Sequence, residues 1–293
     1  MNPAAVANRF NQAAREDVEH LRAVGDIRVR GLIANNDRPS LEYAETTQRK
    51  FAEIGINYEL TQVERLNLEH AIIEANEDTA IHGIFIYFPV FHNEQDSYLR
   101  NLVDYRKDIE AGSIYWTRKL YNNDRYVDGD KSRKALLPCT PLAIVKLLSE
   151  LGVYSKGSQP LAGRTVTIFN RSEVIGRPLA MMMSNDGARI YSIDVNGPML
   201  FINARPEEVD IQRSQALRES DIVVTGVPSS SFEKVRADEI SPDCVCLNFS
   251  SYSNFDNDIA DHNRIYIPRV GPMTVAMCIR NTLRLYRNFH HGS

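Results

Sequence analysis

The alternation of short β-rich runs with helical segments is the feature that most constrains how this chain can fold. Apolar runs such as residues 84–88 and Thr165–Phe169 are flanked by segments with helical periodicity. The order strand, helix, strand predicts parallel sheets that are covered by helices. A run as apolar as residues 84–88 is typical of a strand buried on both faces. We therefore expect an α/β fold.

The alternation occurs in two series, which predicts two α/β domains. In the first series we predict helices at 4–24, 40–54 and 66–75, and strands at 27–34, 58–63 and 84–88. In the second we predict strands at 165–169, 189–195, 221–227, 245–249 and 265–267, with helices at 176–184, 212–219 and 273–288. An irregular section, 104–140, and a helix at 141–151 separate the two series. Ser40 is the predicted N-cap of the second helix.

Composition excludes several classes of function. The 293 residues carry 34 Lys and Arg against 38 Asp and Glu, a net charge of −4, which does not favour binding to nucleic acid. The longest apolar stretch, 83–91, is far shorter than the roughly 20 residues that span a bilayer. The four cysteines form no C-x-x-C pair, so we predict reduced thiols, no metal site and a cytoplasmic protein.

Segment 170–178, Asn-Arg-Ser-Glu-Val-Ile-Gly-Arg-Pro, connects a predicted strand to a predicted helix. This is the context in which the pyrophosphate of a dinucleotide binds at a helix N-terminus. The usual first and second glycines are replaced by Asn170 and Ser172, and Gly176 remains. An ordinary α/β turn explains the segment equally well. The predicted cofactor contacts here are Asn170, Arg171, Ser172, Glu173, Val174, Ile175 and Gly176.

An acidic residue at the end of the next strand favours the dinucleotide interpretation. Asp194 lies 18 residues after Gly176, and Val195 follows it. A carboxylate at this place accepts hydrogen bonds from a ribose diol and repels a 2′-phosphate, which favours NAD over NADP. Arg171 favours the opposite choice, because it can pair with a 2′-phosphate. An ion pair between Arg171 and Asp194 at the surface is the structural alternative.

Five segments between residues 40 and 282 form one collinear set of motifs. They are Ser40-Leu-Glu-Tyr43, the strand end 83–89, Pro138-Cys-Thr-Pro141, segment 170–178, and Gly-Pro-Met-Thr-Val-Ala at 271–276. In this order and spacing they resemble the motifs of the methylenetetrahydrofolate dehydrogenase/cyclohydrolase family. The resemblance implies oxidation of 5,10-methylenetetrahydrofolate to 5,10-methenyltetrahydrofolate with a nicotinamide cofactor. The substrate would be a tetrahydrofolate derivative of one-carbon metabolism and purine biosynthesis.

The resemblance also implies roles for individual residues. Tyr43 would contact the folate near the reacting carbon, and Glu110 would accept hydrogen bonds from the pterin ring. Further substrate contacts are implied for Tyr87, Pro89, Gly271 and Pro272, and further cofactor contacts for Gly226, Val227, Pro228 and Thr274. Each has a plain structural alternative, such as a half-buried helix tyrosine for Tyr43 and a solvated loop acid for Glu110. We assign Lys107 and Asp108 no catalytic role.

Departures from the family pattern are informative. In bifunctional members a lysine four residues after the motif tyrosine takes part in the hydrolase chemistry, and here that catalytic position is Thr47. Tyr87 replaces a strand-end glutamine, Glu110 replaces an aspartate, and the loop before Gly271 is shortened. The combination resembles the monofunctional NAD-dependent members known from yeasts. A threonine hydroxyl is a poor replacement for lysine in acid–base catalysis, so we expect no cyclohydrolase activity.

The family architecture then gives the expected organisation. We expect a folate-binding catalytic domain at 1–145, on which the last helix, 273–293, packs, and a Rossmann-type NAD-binding domain at 146–272. The resemblance places the active site in a cleft between the domains and implies a homodimer. Because folate is anionic, Arg49 and Lys50 are candidates for a local basic patch.

Three other interpretations remain open. The first is a bifunctional NADP-dependent dehydrogenase/cyclohydrolase, which a comparison of NAD with NADP and a hydrolysis assay would distinguish. A non-catalytic NAD-binding module is the second, since Thr47 and Tyr87 depart from the catalytic pattern. The third is an oxidoreductase similar to shikimate dehydrogenase, which requires a Lys/Asp pair that we do not find in the first domain.

Overall fold

A computed structural model describes residues 1–21, 25–262 and 265–291. The end of the first predicted helix, 22–24, and the last two residues of the predicted 273–293 segment lie outside the described residues. The chain divides into two compact units, which we describe separately. The first unit comprises Ala7–Cys139 and the residues from Val275 onward. The second unit comprises Met1–Val6 and Thr140–Thr274.

The first unit contains a three-stranded parallel sheet of order β2-β1-β3. Its elements are α1 (Pro3–Leu21), β1 (Arg28–Ile33), α2 (Arg38–Ile54), β2 (Asn57–Gln62), α3 (Leu68–Glu77), β3 (Gly83–Ile86), α4 (Glu94–Leu102) and α5 (Ile114–Tyr121). All four residues of β3 are buried, as the apolar run predicts. Because β1 pairs in parallel with both β2 and β3, the carboxyl ends of the three strands lie at the same edge of the sheet. Ligands bind at this edge in open α/β sheets.

One face of this sheet forms a core with α3 and α4. Leu32, Ile84 and Ile86 of the strands pack against Leu68 and Ile72 of α3, and all five are buried. Burial of side chains of this size stabilises the fold by about 1.5–3 kcal/mol each. The core therefore fixes the strand ends that carry the candidate substrate residues.

Helix α2 begins two residues earlier than we predict. Asp37 is its N-cap, and the Asp37 carboxylate accepts a hydrogen bond from the Ser40 amide at 3.0 Å. The prediction that Ser40 is the cap is therefore wrong. Asp37 is the better cap because its carboxylate accepts the Ser40 amide, which has no partner within the helix. Pro39 then lies in the first helical turn, where a proline is favourable.

The predicted irregular section 104–140 contains helix α5, which begins after Ser113. Its sequence is aromatic, and aromatic residues have only modest helix propensity, so the pattern gives no helical signal. Tertiary contacts stabilise it instead. The ring of Trp116 is buried and donates a hydrogen bond to the Tyr105 carbonyl at 2.9 Å, and the Tyr105 and Tyr115 rings stack with centroids 4.0 Å apart.

The second unit contains a seven-stranded sheet of order β10-β9-β8-β4-β5-β6-β7. Its elements are α6 (Cys139–Glu150), β4 (Thr165–Phe169), α7 (Gly176–Asn185), β5 (Arg189–Asp194), β6 (Gly197–Ile202), β7 (Arg205–Glu208), α8 (Arg213–Arg218), β8 (Ile222–Thr225), β9 (Val245–Asn248), α9 (Asp258–Asp261) and β10 (Tyr266–Ile267). Helix α10 (Gly271–Leu285) begins in this unit, and its residues from Val275 onward belong to the first unit. Strands β10 to β5 are parallel, which confirms the predicted Rossmann-type sheet. A π-helical turn, Tyr286–His290, continues α10.

Two antiparallel strands, β6 and β7, extend the sheet beyond β5 and are absent from the prediction. Strand β7 is exposed along its whole length, so it has no alternation of apolar and polar residues to detect. In the turn between them, Asn203 and Ala204 have φ of 49° and 60°. Hairpin turns with positive φ usually contain glycine, so the alanine at this place does not indicate a turn in the sequence.

The predicted domain limits and the compact units differ in where they divide the chain. The predicted limit between 145 and 146 falls inside α6, whereas the units divide at Thr140, where α6 begins. At the other end, Gly271–Thr274 of α10 belong to the second unit. Each division thus passes through a helix: the predicted limits through α6 and α10, and the division into units through α10.

Candidate active site

Two aromatic side chains meet at the edge of the first unit's sheet. Tyr43 lies on α2 and Tyr87 directly follows β3, and their ring centroids are 5.9 Å apart in an edge-to-face arrangement. Tyr87 is buried, whereas Tyr43 is partly exposed. Two of the predicted substrate residues are therefore brought together, and one of them, Tyr43, is partly accessible.

Thr47 lies one helical turn after Tyr43 and is fully buried. Its hydroxyl donates to the Tyr43 carbonyl at 2.9 Å. Serine and threonine commonly form this bond to the preceding turn in helices. The residue in the position of the family lysine is thus a structural contact within α2, with its proton committed to a carbonyl.

Glu110 supplies the carboxyl group of the cluster. It is partly buried, and burial raises its pKa to about 8, with repulsion from Asp108 adding to the shift and Arg100 opposing it. Burial also raises the pKa of Asp108, whose carboxyl accepts the Ser113 amide at 2.8 Å. At pH 7 the Glu110 carboxyl is therefore mostly protonated, and it ionises as the pH rises through about 8.

The segment that carries Glu110 is fixed by residues that sequence reasoning does not assign. Asn281 of α10 is buried and donates to the carbonyls of Ile109 and Leu137 at 2.9 and 3.0 Å. The Cys139 thiol donates to the same Ile109 carbonyl at 3.4 Å, and burial raises the pKa of that thiol. Cys139 is thus a small buried side chain that packs in the interior. Asn281 lies ten residues after Gly271 and outside the motif at 271–276, so no motif in the sequence indicates it.

Lys107 has a structural role. Its ammonium group donates to the carbonyls of Ala75, Asn76 and Asp78 at 3.0, 2.8 and 2.8 Å. These carbonyls lie at the C-terminal end of α3, where the helix dipole favours a cation. The geometry agrees with assigning no catalytic role to this residue.

Pro89 is held in a loop at the end of β3. The Asn35 amide donates to the carbonyls of Tyr87 and Pro89 at 3.1 and 2.7 Å, and the Phe88–Pro89 bond is cis. The buried Asp96 carboxylate accepts the amides of Val90, Phe91 and His92 on the other side of the loop. Asn35 and Asp96 therefore determine where the loop lies, and sequence reasoning misses both.

The two candidates for a basic patch are already paired. Lys50 contacts the Glu53 carboxylate at 2.7 Å, and Arg49 lies 3.9 Å from the same group. The expectation that they attract an acidic substrate is therefore not supported by their contacts. Both pairs are exposed and helical, which makes them weak.

In the second unit, the loop between β4 and α7 is closed by side chains that replace two glycines. Asn170 accepts the Ser172 amide at 2.9 Å and donates to the Gly226 carbonyl at 2.8 Å. The Ser172 hydroxyl accepts the amides of Ile175 and Gly176 at 3.3 and 3.4 Å. Asn170 thus joins the loop after β4 to the loop after β8. Glu173 and Val174 are exposed at the tip.

Two glycines of this site are required by close approaches. A Cβ at Gly176 would lie 2.1 Å from the Asn170 carbonyl oxygen, and a Cβ at Gly226 would lie 1.8 Å from the Phe249 ring. Val227, beside Gly226, exchanges hydrogen bonds with the buried Asn254 side chain at 2.8 and 3.0 Å. Pro228 follows in the same loop. Asn254 lies far along the chain and carries no motif, so the sequence does not indicate it.

Arg171 and Asp194 form an ion pair at the end of β5. Arg171 also donates to the carbonyls of Ser192 and Gly197 at 3.0 and 2.9 Å, and its side chain is only 10% exposed. The Asn196 amide donates to the Asp194 oxygen that faces Arg171, at 2.8 Å. Among the described residues, no hydrogen bond reaches the other carboxylate oxygen. The ion pair between Arg171 and Asp194 is therefore largely buried and not at the surface. One oxygen of the Asp194 carboxylate is left to accept a hydrogen bond from a ligand.

The remaining predicted residues lie at the start of α10 and in the hairpin. Gly271 and Pro272 form the first turn of α10, and the Thr274 hydroxyl lies 3.5 Å from that of Thr140. Val195, in the hairpin after Asp194, is fully exposed. Within the described ranges, no three His, Cys, Asp or Glu side chains are grouped so that they could bind a metal ion. No described helix has the length and apolar character needed to cross a membrane.

Two domain models of one protein family match this chain. The model of the tetrahydrofolate dehydrogenase/cyclohydrolase catalytic domain matches residues 1–110. The model of the NAD(P)-binding domain of the same family matches residues 138–290. Together they cover both candidate sites.

Individual relatives cover nearly the whole chain. A methylenetetrahydrofolate dehydrogenase, NAD(+), of Dictyostelium discoideum is 40% identical over 97% of this chain and 92% of its own. A protein of the same name from Schizosaccharomyces pombe is 42% identical over 87% and 83%. The solved structure of the NAD-dependent 5,10-methylenetetrahydrofolate dehydrogenase of Saccharomyces cerevisiae is 38% identical, with a TM-score of 0.93 over 98% and 96% of the chains. A bifunctional enzyme of Campylobacter jejuni, 19% identical with a TM-score of 0.78, has the same fold.

Proposed function

Because the chain belongs to the tetrahydrofolate dehydrogenase/cyclohydrolase family, we propose that it oxidises 5,10-methylenetetrahydrofolate to 5,10-methenyltetrahydrofolate with NAD as hydride acceptor. The observation that carries this proposal is the 40% identity, over nearly the full chain, to a relative named for that reaction. The cluster of Tyr43, Tyr87 and Glu110 at a sheet edge supports it, since it offers aromatic faces and a carboxyl group to a pterin.

Oxidation of 5,10-methylenetetrahydrofolate by hydride transfer requires no strong acid or base from the protein. When the one-carbon bridge loses a hydride, the lone pairs of its two nitrogens stabilise the resulting cation. NAD, when bound, supplies the carbon that accepts the hydride. The residues of this chain need only hold the two rings in contact and exclude water. Buried, fully hydrogen-bonded groups such as Thr47 and Tyr87 suit that task.

Tyr43 and Glu110 are the residues to which we assign substrate binding. Tyr43 presents a partly exposed ring that is braced from behind by Tyr87. An ionised Glu110 carboxylate can accept two hydrogen bonds from the pterin ring N–H and its neighbouring amino group. Because burial raises the pKa of Glu110 to about 8, these two donors would favour ionisation when the substrate binds.

The loop after β4 and the end of β5 fit the NAD cofactor. Helix α7 presents its N-terminus to a diphosphate, and Gly176 and Gly226 allow close approach of the backbone. The oxygen of Asp194 that takes no hydrogen bond within the described residues is available to ribose hydroxyls. The Asp194 carboxylate would repel a 2′-phosphate, which supports NAD over NADP.

We further propose that the protein lacks appreciable cyclohydrolase activity. Hydrolysis of the methenyl product requires an activated water and a group that moves protons. Thr47, in the position of the family lysine, is buried and donates its proton to the Tyr43 carbonyl. It therefore cannot replace an ammonium group that gains and loses a proton.

The test is the initial rate of NAD reduction with methylenetetrahydrofolate, beside NADP and beside hydrolysis of methenyltetrahydrofolate. We expect reduction of NAD and hydrolysis at the spontaneous rate. The Tyr43→Phe variant should raise the folate KM or lower kcat by about 3- to 10-fold, whereas Tyr98→Phe, which removes an exposed hydroxyl bound to Glu69, should not. Hydrolysis well above the spontaneous rate would favour a bifunctional enzyme. NAD binding without reduction would favour a non-catalytic module.

Three finer points belong to the same proposal. We place the protein in the cytoplasm, where its four free cysteines would remain reduced. We expect a homodimer, from resemblance to the family alone, and light scattering of the purified protein measures this. A role in purine biosynthesis follows from the use of one-carbon units, and purine dependence of a deletion strain would test it.

A further inference from the structure

Tyr58, on β2, belongs to no motif and makes an unusual contact. Its hydroxyl lies 2.7 Å from the hydroxyl of Tyr87, and both side chains are buried. The Tyr58 ring packs against Phe51 of α2, with ring centroids 4.9 Å apart. Tyr87 is in turn packed against Phe85, at 4.8 Å, and Tyr43. Tyr58 thus stands behind the residues assigned to the folate site.

Two hydrogen bonds involve the hydroxyl groups of these residues. The Tyr58 and Tyr87 hydroxyls are hydrogen-bonded to each other, and the Thr47 hydroxyl donates to the Tyr43 carbonyl. The first of these bonds connects β2 to the residue that follows β3. It is formed between two buried side chains, so each hydroxyl depends on the other for a partner.

The consequence is that the Tyr87 side chain is held in two ways. Its ring packs against the rings of Phe85 and Tyr43, and its hydroxyl is hydrogen-bonded to that of Tyr58. Removal of the Tyr58 hydroxyl would leave the buried Tyr87 hydroxyl without this partner. An unmet buried polar group is costly, so the Tyr87 ring would shift or admit water.

Gly31 of β1 makes the position of Tyr58 possible. A Cβ at Gly31 would lie 2.3 Å from the Tyr58 hydroxyl and 2.5 Å from the nearest ring carbon. These separations are far below van der Waals contact, so any larger residue would displace the ring. Gly31 has no positive φ that would otherwise require glycine. The space for the tyrosine ring is therefore what the glycine provides.

We propose that Tyr58 is a positioning residue of the folate site, which fixes the Tyr87 ring behind Tyr43 and for which Gly31 provides the space. The inference rests on the proposed function, because it assigns Tyr43 to substrate binding. The inference goes beyond the proposed function because it names Tyr58 on β2 and Gly31 on β1, which act on substrate binding only through Tyr87.

The Tyr58→Phe variant tests the proposal, since it keeps the ring and removes only the hydroxyl. We expect the KM for methylenetetrahydrofolate to rise about 3- to 10-fold, as for one lost buried hydrogen bond, with the NAD KM and kcat unchanged. Calorimetry with tetrahydrofolate should show the same loss of affinity. Tyr191→Phe, which removes a buried tyrosine hydroxyl bonded to Glu219 at 2.7 Å, is the matched control and should lower the melting temperature alone.

The Gly31→Ala variant provides a second, independent test of the proposal. In the wild-type background it should raise the folate KM at least as much as Tyr58→Phe. In a Tyr58→Leu background, where the ring is absent, it should add little, even if the single variant folds poorly. A folate KM within twofold of wild type in Tyr58→Phe, or additive effects of Gly31→Ala and Tyr58→Leu, would overturn the proposal. If wild-type protein bound no tetrahydrofolate, the proposed function itself would fall first.

Discussion

Replacement of Asp194 by serine removes one carboxylate from the end of β5 and leaves Arg171 in place. The guanidinium keeps its hydrogen bonds to the carbonyls of Ser192 and Gly197, at 3.0 and 2.9 Å, so it does not depend on Asp194 for its position. A cation would then stand where the carboxylate now neutralises it. The variant should therefore lose affinity for NAD and gain affinity for NADP.

The size of the change follows from two effects. Repulsion between a carboxylate and a 2′-phosphate at about 4 Å reaches about 4 kcal/mol at an effective dielectric of 20, and solvent screening reduces this to about 1–2 kcal/mol. A hydrogen bond from Arg171 to the phosphate adds about 1.5–3 kcal/mol. The sum, about 2.5–5 kcal/mol, corresponds to a rise in kcat/KM for NADP of about 70-fold to about 5000-fold. NAD should lose about 10- to 100-fold, because its ribose loses a charged acceptor.

The assay is the initial rate with each nucleotide at fixed methylenetetrahydrofolate, for Asp194→Ser, Arg171→Gln and the double variant. The double variant should lose the gain with NADP, since no cation remains to bind the phosphate. Glu207→Gln, on the exposed strand β7, is the control for removal of one negative charge from the same sheet. The reasoning is refuted if Asp194→Ser leaves the ratio of NAD to NADP unchanged, or if the double variant uses NADP as well as Asp194→Ser does.

Three further predictions concern single residues. Because burial raises the pKa of Glu110 to about 8 and the ionised form accepts the pterin donors, the folate KM should fall as pH rises from 6.5 to 9, and Glu110→Gln should flatten that profile. Lys107→Met removes the donor of three carbonyls at the end of α3, so chemical denaturation should show a loss of about 2–4 kcal/mol with kcat unchanged, while Lys156→Met at an exposed site should show none. Gly226→Ala should abolish NAD binding in calorimetry, because its Cβ would overlap the Phe249 ring, and unchanged affinity would contradict the role of that loop.

The parts of the fold that sequence predicts well are those with strong local patterns. Strand β4 and the start of α7 lie where the apolar run and Gly176 indicate. The β6–β7 hairpin and α5 are missed because their stability comes from pairing with β5 and from the burial of Trp116. Neither produces a periodic pattern within its own residues.

The candidate site shows the same division between local and distant signals. Tyr43, Thr47 and Tyr87 stand in recognisable motifs, so their grouping can be predicted by resemblance. Asn281 and Asn254 support the two sites from positions more than twenty residues away from the loops they hold, with no motif around them. A buried asparagine that satisfies backbone carbonyls is indistinguishable, in one sequence, from any polar residue in a helix or loop.

The two departures at Thr47 and Tyr87 are separate in the sequence, but both residues contact Tyr43 in the structure. The Thr47 hydroxyl donates to the Tyr43 carbonyl, and the Tyr87 ring packs edge to face against the Tyr43 ring. Both side chains therefore hold Tyr43, and neither offers an ammonium group that could transfer a proton beside it. Hydride transfer requires orientation and no base, so this arrangement suits the proposed dehydrogenase reaction. Hydrolysis of the methenyl product requires a group that moves protons, which these two side chains do not supply.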